Sequence, residues 1–121
     1  MTERGDLGRA GEDLAAAQLE RCGMRVLARN VRLSEGREID IVAMDGGTLV
    51  CVEVRSRRAS WVEAADSIGP RKQERVRLAA EEYAARHDGP FEALRVDVVL
   101  VEFRRDGRPP RVRHLPDAIG G

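Results

Sequence analysis

Two carboxylates, Asp40 and Glu53, occupy positions where a β-hairpin would bring them face to face. Residues 39–44 and 49–54 are apolar runs separated by Asp-Gly-Gly-Thr. Asp-Gly or Gly-Gly between such runs is typical of a tight hairpin, because glycine adopts the positive φ that the turn needs. If Gly46 and Gly47 form the loop, Asp40 lies directly opposite Glu53, with Cβ atoms about 4.5–5.5 Å apart.

The same register sets Glu38 opposite Arg55, so that four charged side chains form one patch. Directly opposed carboxylates repel each other unless a cation neutralises them, and hard cations such as Mg²⁺ bind carboxylate oxygens. The pattern therefore predicts a site for a divalent metal ion. The alternative is an exposed strand end with solvated charges and a Glu38–Arg55 pair. A three-residue loop with a bulge would shift the register and remove the prediction.

The length and charge of the chain narrow the class of protein. Its 121 residues predict a single domain spanning residues 1–121. Lys+Arg and Asp+Glu both total 21, so the net charge gives no overall attraction to nucleic acid or membrane. Arginines instead cluster within residues 55–58, 71–77 and 104–113, and Lys72 is the only lysine.

The remaining composition excludes several kinds of site. Two cysteines do not form a disulfide framework, and the two histidines lack metal-ligand spacing, which argues against zinc. The N-terminus lacks the apolar core of a signal peptide, and no apolar run is long enough to span a bilayer. We therefore expect a soluble, cytoplasmic protein with no membrane partner.

The first helix is predicted over residues 5–22. Its core face is predicted to comprise Leu7, Ala10, Leu14 and Ala17, which recur at helical spacing. Glu12 lies off this face, and its neighbours one turn away are small or apolar, so it can approach another backbone or a site closely. The alternative is a half-exposed glutamate that pairs with Arg9.

A strand is predicted over residues 24–31 and a turn over 33–37, before the hairpin. Residues 56–69 lack periodicity and predict either a lid or substrate-contacting loop, or a loosely ordered connection. A second helix follows over 70–87, with a buried stripe of Val76, Ala79, Ala80 and Tyr83. Residues 94–103 predict a strand, and 111–115 an edge strand that pairs back on it.

The second predicted helix has an unusually basic beginning. Arg71, Lys72, Arg75 and Arg77 lie in its first two turns, although a helix N-terminus prefers anions. The arrangement suits phosphate, and the alternative is a solvated face balanced by nearby glutamates. The element order predicts an α/β fold in which a mixed sheet has a helix on each side, a three-layer arrangement.

These motifs resemble the YraN-type family of small bacterial predicted endonucleases, which are similar to archaeal Holliday-junction resolvases. The resemblance covers about residues 8–115. Its motifs are Gly8-x-x-Gly11-Glu12, Leu27-x-x-Asn30, Gly36-x-Glu38-Ile39-Asp40-Ile41-Val42-Ala43, Val52-Glu53-Val54-Arg55-x-Arg57, Arg71-Lys72-Gln73 and Arg95-x-Asp97-Val98-Val99.

The resemblance implies the restriction-endonuclease-like PD-(D/E)xK core. It also implies Asp40 and Glu53 as ligands of Mg²⁺ or Mn²⁺, and Glu12 as an accessory carboxylate. Arg55 stands where that superfamily has a lysine that helps to activate water. Arginine supplies charge and hydrogen bonds but cannot act as a base, whereas a metal ion can itself lower the pKa of water. Lys72 is expected either to replace that lysine in space or to contact a phosphate.

Two functions follow as hypotheses. The first is a Mg²⁺- or Mn²⁺-dependent endonuclease acting on DNA, including branched or structured DNA, with Glu12, Asp40, Glu53 and Arg55 as catalytic residues. The second is a non-cleaving module on the same fold that binds nucleic acid or a protein partner. In both, we expect DNA contacts from Arg57, Arg58, Arg71, Lys72 and Arg75, and analogy with resolvases predicts a homodimer. Low aromatic content, 3%, argues against stacking on single-stranded bases.

Overall fold

The structure is a computed structural model that describes residues 3–58 and 68–120, with side chains described from residue 8 onward. Helix α1 spans Glu3–Arg21 and helix α2 spans Pro70–Arg86. The strands are β1 (Arg25–Arg32), β2 (Glu38–Asp45), β3 (Thr48–Arg57), β4 (Ala93–Glu102) and β5 (Arg111–Leu115), and a 3₁₀ turn, Ser34–Gly36, joins β1 to β2. These elements confirm the predicted order of helices and strands.

The five strands form one mixed sheet in the order β1-β2-β3-β4-β5. Only β3 and β4 run parallel; the other three neighbouring pairs are antiparallel. The crossover between the parallel strands contains α2. Pairing with β4 continues to Arg57, so residues 56 and 57, predicted as the start of a loop, belong to β3. Residues 59–67 of that predicted lid lie outside the described part of the chain.

Each face of the sheet has its own apolar core, and each core is covered by one helix. On one face α2 contributes Val76, Ala79 and Ala80 to a cluster with side chains of β2, β3 and β4, and Tyr83 packs against its margin. On the other face α1 contributes Ala15, Ala16 and Leu19. The result is a three-layer α/β arrangement that is compatible with a restriction-endonuclease-like core, as the sequence predicted.

The buried face of α1 is not the predicted one. Ala10 and Ala17 are exposed, Leu14 is half-buried, and the side chain of Leu7 falls outside those described. The helix instead buries Gly11, Ala15, Ala16 and Leu19. A Cβ atom on Gly11 would lie 1.9 Å from Ser56 Oγ, so the helix backbone lies close to β3 at this glycine. Alanines lie on several faces of this helix, so apolar spacing does not single out one of them. The close contact with β3 that glycine allows therefore determines which face is buried.

Asp97 attaches the C-terminal part of the chain to the sheet. Its fully buried carboxylate accepts hydrogen bonds from Arg95 Nε at 2.8 Å and Asp117 N at 2.9 Å, and lies 2.6 Å from His114 Nε2. Burial alone would raise the pKa of Asp97, but these hydrogen bonds outweigh it and hold the pKa below its ordinary value. This carboxylate is a structural anchor for β5 and the residues after it.

Candidate metal centre and nucleic-acid interface

The hairpin has the predicted register, but its two strands separate one residue before the carboxylates. The pairs run from Asp45–Thr48 at the turn to Ile41–Val52, where the β2–β3 ladder ends. Beyond that point Asp40 Oδ2 accepts a hydrogen bond from the backbone N–H of Val54 at 2.8 Å. A side-chain oxygen therefore satisfies this partly buried donor, and the strands can separate without leaving it unpaired.

The separation opens a cavity of about 300 Å³ at the end of the sheet away from the hairpin turn. Asp40 of β2, Glu53 of β3 and Glu12 of α1 all line it, so three elements bring carboxylates to one place. The other lining residues are Gly8, Val54, Arg55, Ser56 and Arg57. The predicted meeting of Asp40 and Glu53 on one side is thus present, and the two carboxyl groups are close enough to hydrogen-bond.

Burial raises the pKa values of all three carboxyl groups. Glu53 is only 5% exposed, and burial together with the charge of Asp40 raises its pKa to about 7. Burial also raises the pKa of Asp40, although its hydrogen bond from Val54 opposes the shift. The pKa of Glu12 is raised by burial and then by Asp40. Two or three negative charges in so dry a site require a compensating cation.

Two cationic side chains, Arg55 and Lys72, lie close to Glu53. Arg55 Nη1 lies 3.6 Å and Lys72 Nζ lies 3.5 Å from Glu53 Oε1. Lys72 belongs to the first turn of α2, on the opposite layer from α1. The only lysine of the chain therefore reaches the carboxylate pair in space, one of the two positions that we expected for it.

Glu12 lies at the rim of the group, with its side chain 16% exposed. Arg29 Nη2 is 3.5 Å from its Oε1, and this buried oxygen has no hydrogen-bond partner among the described residues. Arg29 is thus a salt-bridge partner of Glu12 that the sequence did not indicate. An oxygen buried without a hydrogen bond has coordination capacity left for a ligand.

The carboxylates that could contribute to a metal site number two rather than three. Within residues 3–58 and 68–120, no group of three or more His, Cys, Asp or Glu side chains is placed so that it could hold a metal ion together. Mg²⁺ commonly uses one or two carboxylates and retains several water molecules or substrate oxygens. The Asp40–Glu53 pair, with the unsatisfied oxygen of Glu12 nearby, suits that pattern better than the closed shell of a structural metal site.

The predicted two-by-two patch forms only in part. Glu38 is exposed, and it is the register partner of Arg32 on β1, whose Nε lies 3.4 Å from its carboxylate. It lines a separate cavity with Lys72 and Arg75. The predicted pairing of Glu38 with Arg55 fails because the β2–β3 ladder has already ended, so the register no longer opposes them.

The predicted nucleic-acid contacts lie at two cavities and on the exposed surface. Arg57 lines the carboxylate cavity, Lys72 touches Glu53, and Arg75 lines the separate cavity. Arg58 and Arg71 are exposed at the end of β3 and in the first turn of α2. These basic residues therefore come from the end of β3 and from the first turns of α2.

Sequence reasoning missed three contributors to the site. Gly11 sets the distance of α1 from β3, and a glycine inside a predicted helix could have indicated such close packing. Arg29 and Asn30 both lower the pKa of Glu12. Asn30 stands opposite Asp40 across β1 and β2 and has φ +54°, which nothing in the sequence indicated. Asparagine tolerates this left-handed conformation better than most residues do.

The fold and site together define a three-layer α/β protein whose carboxylates converge at one end of a mixed sheet. The chain belongs to the family described as Uncharacterised protein family UPF0102, whose profile matches residues 11–101. None of the helices in the described part of the chain is long and apolar enough to cross a membrane.

Relatives extend this similarity over nearly the whole chain. A UPF0102 protein of Anaeromyxobacter dehalogenans is 48% identical over 116 residues, which are 95% of this chain and 84% of that protein. One of Streptomyces griseus is 48% identical over 111 residues, 90% and 92% of the two chains. A third, of Pelotomaculum thermopropionicum, is 42% identical over 114 residues, 93% and 94%.

Proposed function

We propose that this protein is a Mg²⁺- or Mn²⁺-dependent endonuclease that hydrolyses phosphodiester bonds in DNA. One observation carries the proposal: Glu12, Asp40 and Glu53, from three elements, line a single cavity in which burial raises all three pKa values. Folding concentrates unfavourable negative charge there, and an enzyme that binds a divalent cation gains from that arrangement.

Asp40 and Glu53 would hold the ion, and Glu12 would reach it directly or through water. When bound, the ion supplies a Lewis acid for the phosphate and lowers the pKa of the attacking water. Asp40 is oriented for this role because Val54 N donates to one of its carboxylate oxygens, Oδ2. The other oxygen, Oδ1, would coordinate the ion.

Arg55 and Lys72 would act on the substrate rather than on the ion. Both lie within 3.6 Å of Glu53, so both can contact a phosphate whose oxygen approaches that carboxylate. Arg55 offers charge and hydrogen bonds but no basic nitrogen. Lys72 supplies the ammonium group that the strand position lacks, from a different element.

The substrate that suits this surface is a DNA backbone, in duplex or branched form. Basic residues at the end of β3 and in the first turns of α2 lie near the open end of the sheet, whereas aromatic residues make up only 3% of the chain. Backbone contact by arginine and lysine does not need stacking platforms. Cleavage of a junction requires cuts in two strands, so we propose a homodimer for that substrate.

The test combines metal binding with cleavage. Calorimetry with Mn²⁺ and gel assays on four-way, duplex and single-stranded DNA should show binding and nicking in wild type, and Asp40→Asn should lose both. Lys72→Ala should reduce cleavage, and Arg55→Lys in that background should restore part of it by returning an ammonium group to Glu53. Absence of Mn²⁺ binding and of cleavage, with Arg55→Lys unable to restore cutting, would overturn the proposal.

A second candidate is a non-cleaving module that binds DNA or a protein partner. The observation that favours it is the double ion pairing of Glu53 with Arg55 and Lys72, which already compensates one carboxylate without a metal. DNA binding that weakens with salt, unaccompanied by nicking in Mn²⁺, would support this alternative. Metal-dependent nicking that Asp40→Asn abolishes would exclude it.

A further inference from the structure

A second, smaller cavity lies beside the carboxylate cavity, on the α2 layer. Its volume is about 70 Å³, and its walls come from the 3₁₀ turn, the start of β2 and the first two turns of α2. Gly36, Arg37, Glu38, Lys72, Arg75 and Val76 line it. Three of these side chains are cationic and one is acidic, so its local charge is positive although the whole chain is neutral.

Arg37 is held in a fixed orientation at this cavity. Its Nη2 lies 2.8 Å from Glu35 Oε2, and its Nη1 lies 3.8 Å from Glu82 Oε1. Glu82 is in turn fixed by the backbone N–H and the hydroxyl of Ser34, at 3.2 and 2.7 Å. The buried Nε of Arg37 has no hydrogen-bond partner among the described residues, so one strong donor is left over.

Arg75 provides the second cation. It is exposed, and within residues 3–58 and 68–120 its Nη2 donates a long hydrogen bond, 3.4 Å, to the carbonyl oxygen of Glu35. Nothing in this contact neutralises its charge, because the acceptor is an uncharged carbonyl. The adjacent first turn of α2 contains no acidic residue, and no side chain caps it. An anion in this cavity would therefore meet several donors, with Glu38 as the acidic residue of the lining and with Glu35, Glu82 and Glu53 already paired with Arg37 and Lys72.

Lys72 connects the two cavities. It lines the smaller one, and its Nζ lies 3.5 Å from Glu53 in the larger one. A DNA strand whose scissile phosphate lies near Glu53 therefore passes Lys72 before it reaches Arg37 and Arg75. The small volume suits a single phosphate group rather than a nucleoside.

We propose that Arg37 and Arg75 form a subsite for a phosphate adjacent to the scissile one, with Lys72 between the two. This inference rests on the proposed nuclease function for the direction of the strand, but the binding that it describes needs no metal. It assigns Arg37, which the sequence did not single out, to substrate positioning. The ligand class is a DNA phosphodiester, and Glu38 is the one lining residue that opposes it.

The test measures DNA binding without metal. Fluorescence anisotropy in EDTA, over a series of salt concentrations, is compared for wild type, Arg75→Gln and Glu38→Gln. Arg75→Gln should weaken binding about three- to tenfold and reduce the salt slope by about 1, because one phosphate contact is lost. Glu38→Gln should strengthen binding. Arg21→Gln, which makes the same charge change at the exposed far end of α1, should leave both quantities near wild type.

Arg37 is tested with a conservative change because it is partly buried. Arg37→Lys keeps the charge but loses the fixed Nε donor, so it should weaken binding, while thermal melting reports whether the fold survives. Equal losses in Arg75→Gln and Arg21→Gln would show a general charge effect and overturn the subsite. The subsite would also be overturned if inorganic phosphate bound in a way that depends on Arg75 while the affinity for DNA did not depend on Arg75.

The two proposals fail in different ways. Arginine-dependent binding without cleavage in Mn²⁺ supports the subsite and overturns the nuclease. Cleavage by wild type with unchanged DNA affinity in Arg75→Gln supports the nuclease and overturns the subsite.

Discussion

At the scale of single residues, Asp40 has two separable duties. One of its oxygens accepts the Val54 N–H, which keeps the separated strands in place, and its negative charge makes it a ligand for a cation. Its neighbour Glu53 repels that charge in a buried site. The hydrogen bond from Val54 and a bound cation both favour the ionised form of Asp40, whereas burial opposes it.

Two substitutions at Asp40 should separate these duties. Asp40→Asn retains an oxygen that can accept from Val54, so we expect stability within about 1 kcal/mol of wild type and weak or absent Mn²⁺ binding. Asp40→Ala leaves the partly buried N–H unpaired and should lose about 1–3 kcal/mol as well. Urea denaturation and calorimetry measure the two effects. Equal stability of the two variants would show that the Val54 hydrogen bond does not hold the strands.

Sequence reasoning found the carboxylate pair but not its setting. The glycine turn predicts the register, which the structure shows as far as Ile41–Val52, and with it the proximity of Asp40 and Glu53 just beyond the last pair. Separation of the strands was not predictable, because the hydrogen bond that permits it joins a side chain to a backbone donor fourteen residues away. The same separation explains why the predicted Glu38–Arg55 pair was wrong, since the ladder no longer opposes those two residues.

At the scale of elements, the packing of α1 decides where Glu12 lies. The helix meets β3 at Gly11, where a Cβ atom would lie 1.9 Å from Ser56 Oγ and 3.1 Å from its Cβ. Glu12 is the next residue along the chain. Any movement of the helix away from β3 therefore moves the proposed third carboxylate as well.

A pair of glycine substitutions tests this contact. Gly11→Ala should destabilise the fold by about 1 kcal/mol, because overpacking against Ser56 outweighs the gain in helix propensity, and it should weaken Mn²⁺ binding. Gly8→Ala, three residues earlier in the same helix, meets nothing within 4 Å and should stabilise by up to about 1 kcal/mol. Thermal melts and calorimetry give the comparison. A Gly11→Ala protein as stable as Gly8→Ala would show that the helix adjusts freely.

The helices illustrate when periodicity is informative. In α2 three members of the predicted stripe, Val76, Ala79 and Ala80, are buried and the fourth, Tyr83, is half-buried. The prediction succeeded because charged residues occupy most of the remaining positions of the helix. In α1 alanine occurs on several faces, and apolar spacing did not distinguish among them. Steric access at Gly11 decided the orientation, and that depends on a strand more than forty residues away.

At the scale of the whole molecule, two buried carboxyl groups, Glu53 and Asp97, make the stability of the fold depend on pH in opposite directions. The raised pKa of Glu53 means that the folded protein keeps a proton that the unfolded chain has lost. Its contribution is full below the ordinary value of 4.5 and is lost as pH rises through about 7. The lowered pKa of Asp97 acts in reverse: its contribution is present above 3.8 and is lost as pH falls below that value.

We therefore expect the metal-free protein to be most stable in mildly acidic solution. Glu53→Gln should remove part of the decline between pH 4.5 and 7, where one such group changes stability by at most about 1.4 kcal/mol per pH unit. Asp97→Asn should lower stability and flatten the acid side, because Arg95 and His114 lose their charged partner. Urea denaturation of both variants from about pH 3 to about pH 8 measures the free energy of unfolding over the range in which these two groups titrate. An unchanged neutral-side slope in Glu53→Gln would contradict the role given to that residue.

The sequence by itself determined the local features: the hairpin turn and register, the order of helices and strands, and the meeting of Asp40 with Glu53. Each follows from interactions between residues close in the chain or from a period that one element displays. Tertiary structure decided which face of α1 is buried, where β2 and β3 separate, and that Lys72 and Arg55 meet the same carboxylate. Those outcomes depend on steric fit and electrostatics between distant segments, which no single stretch of sequence contains.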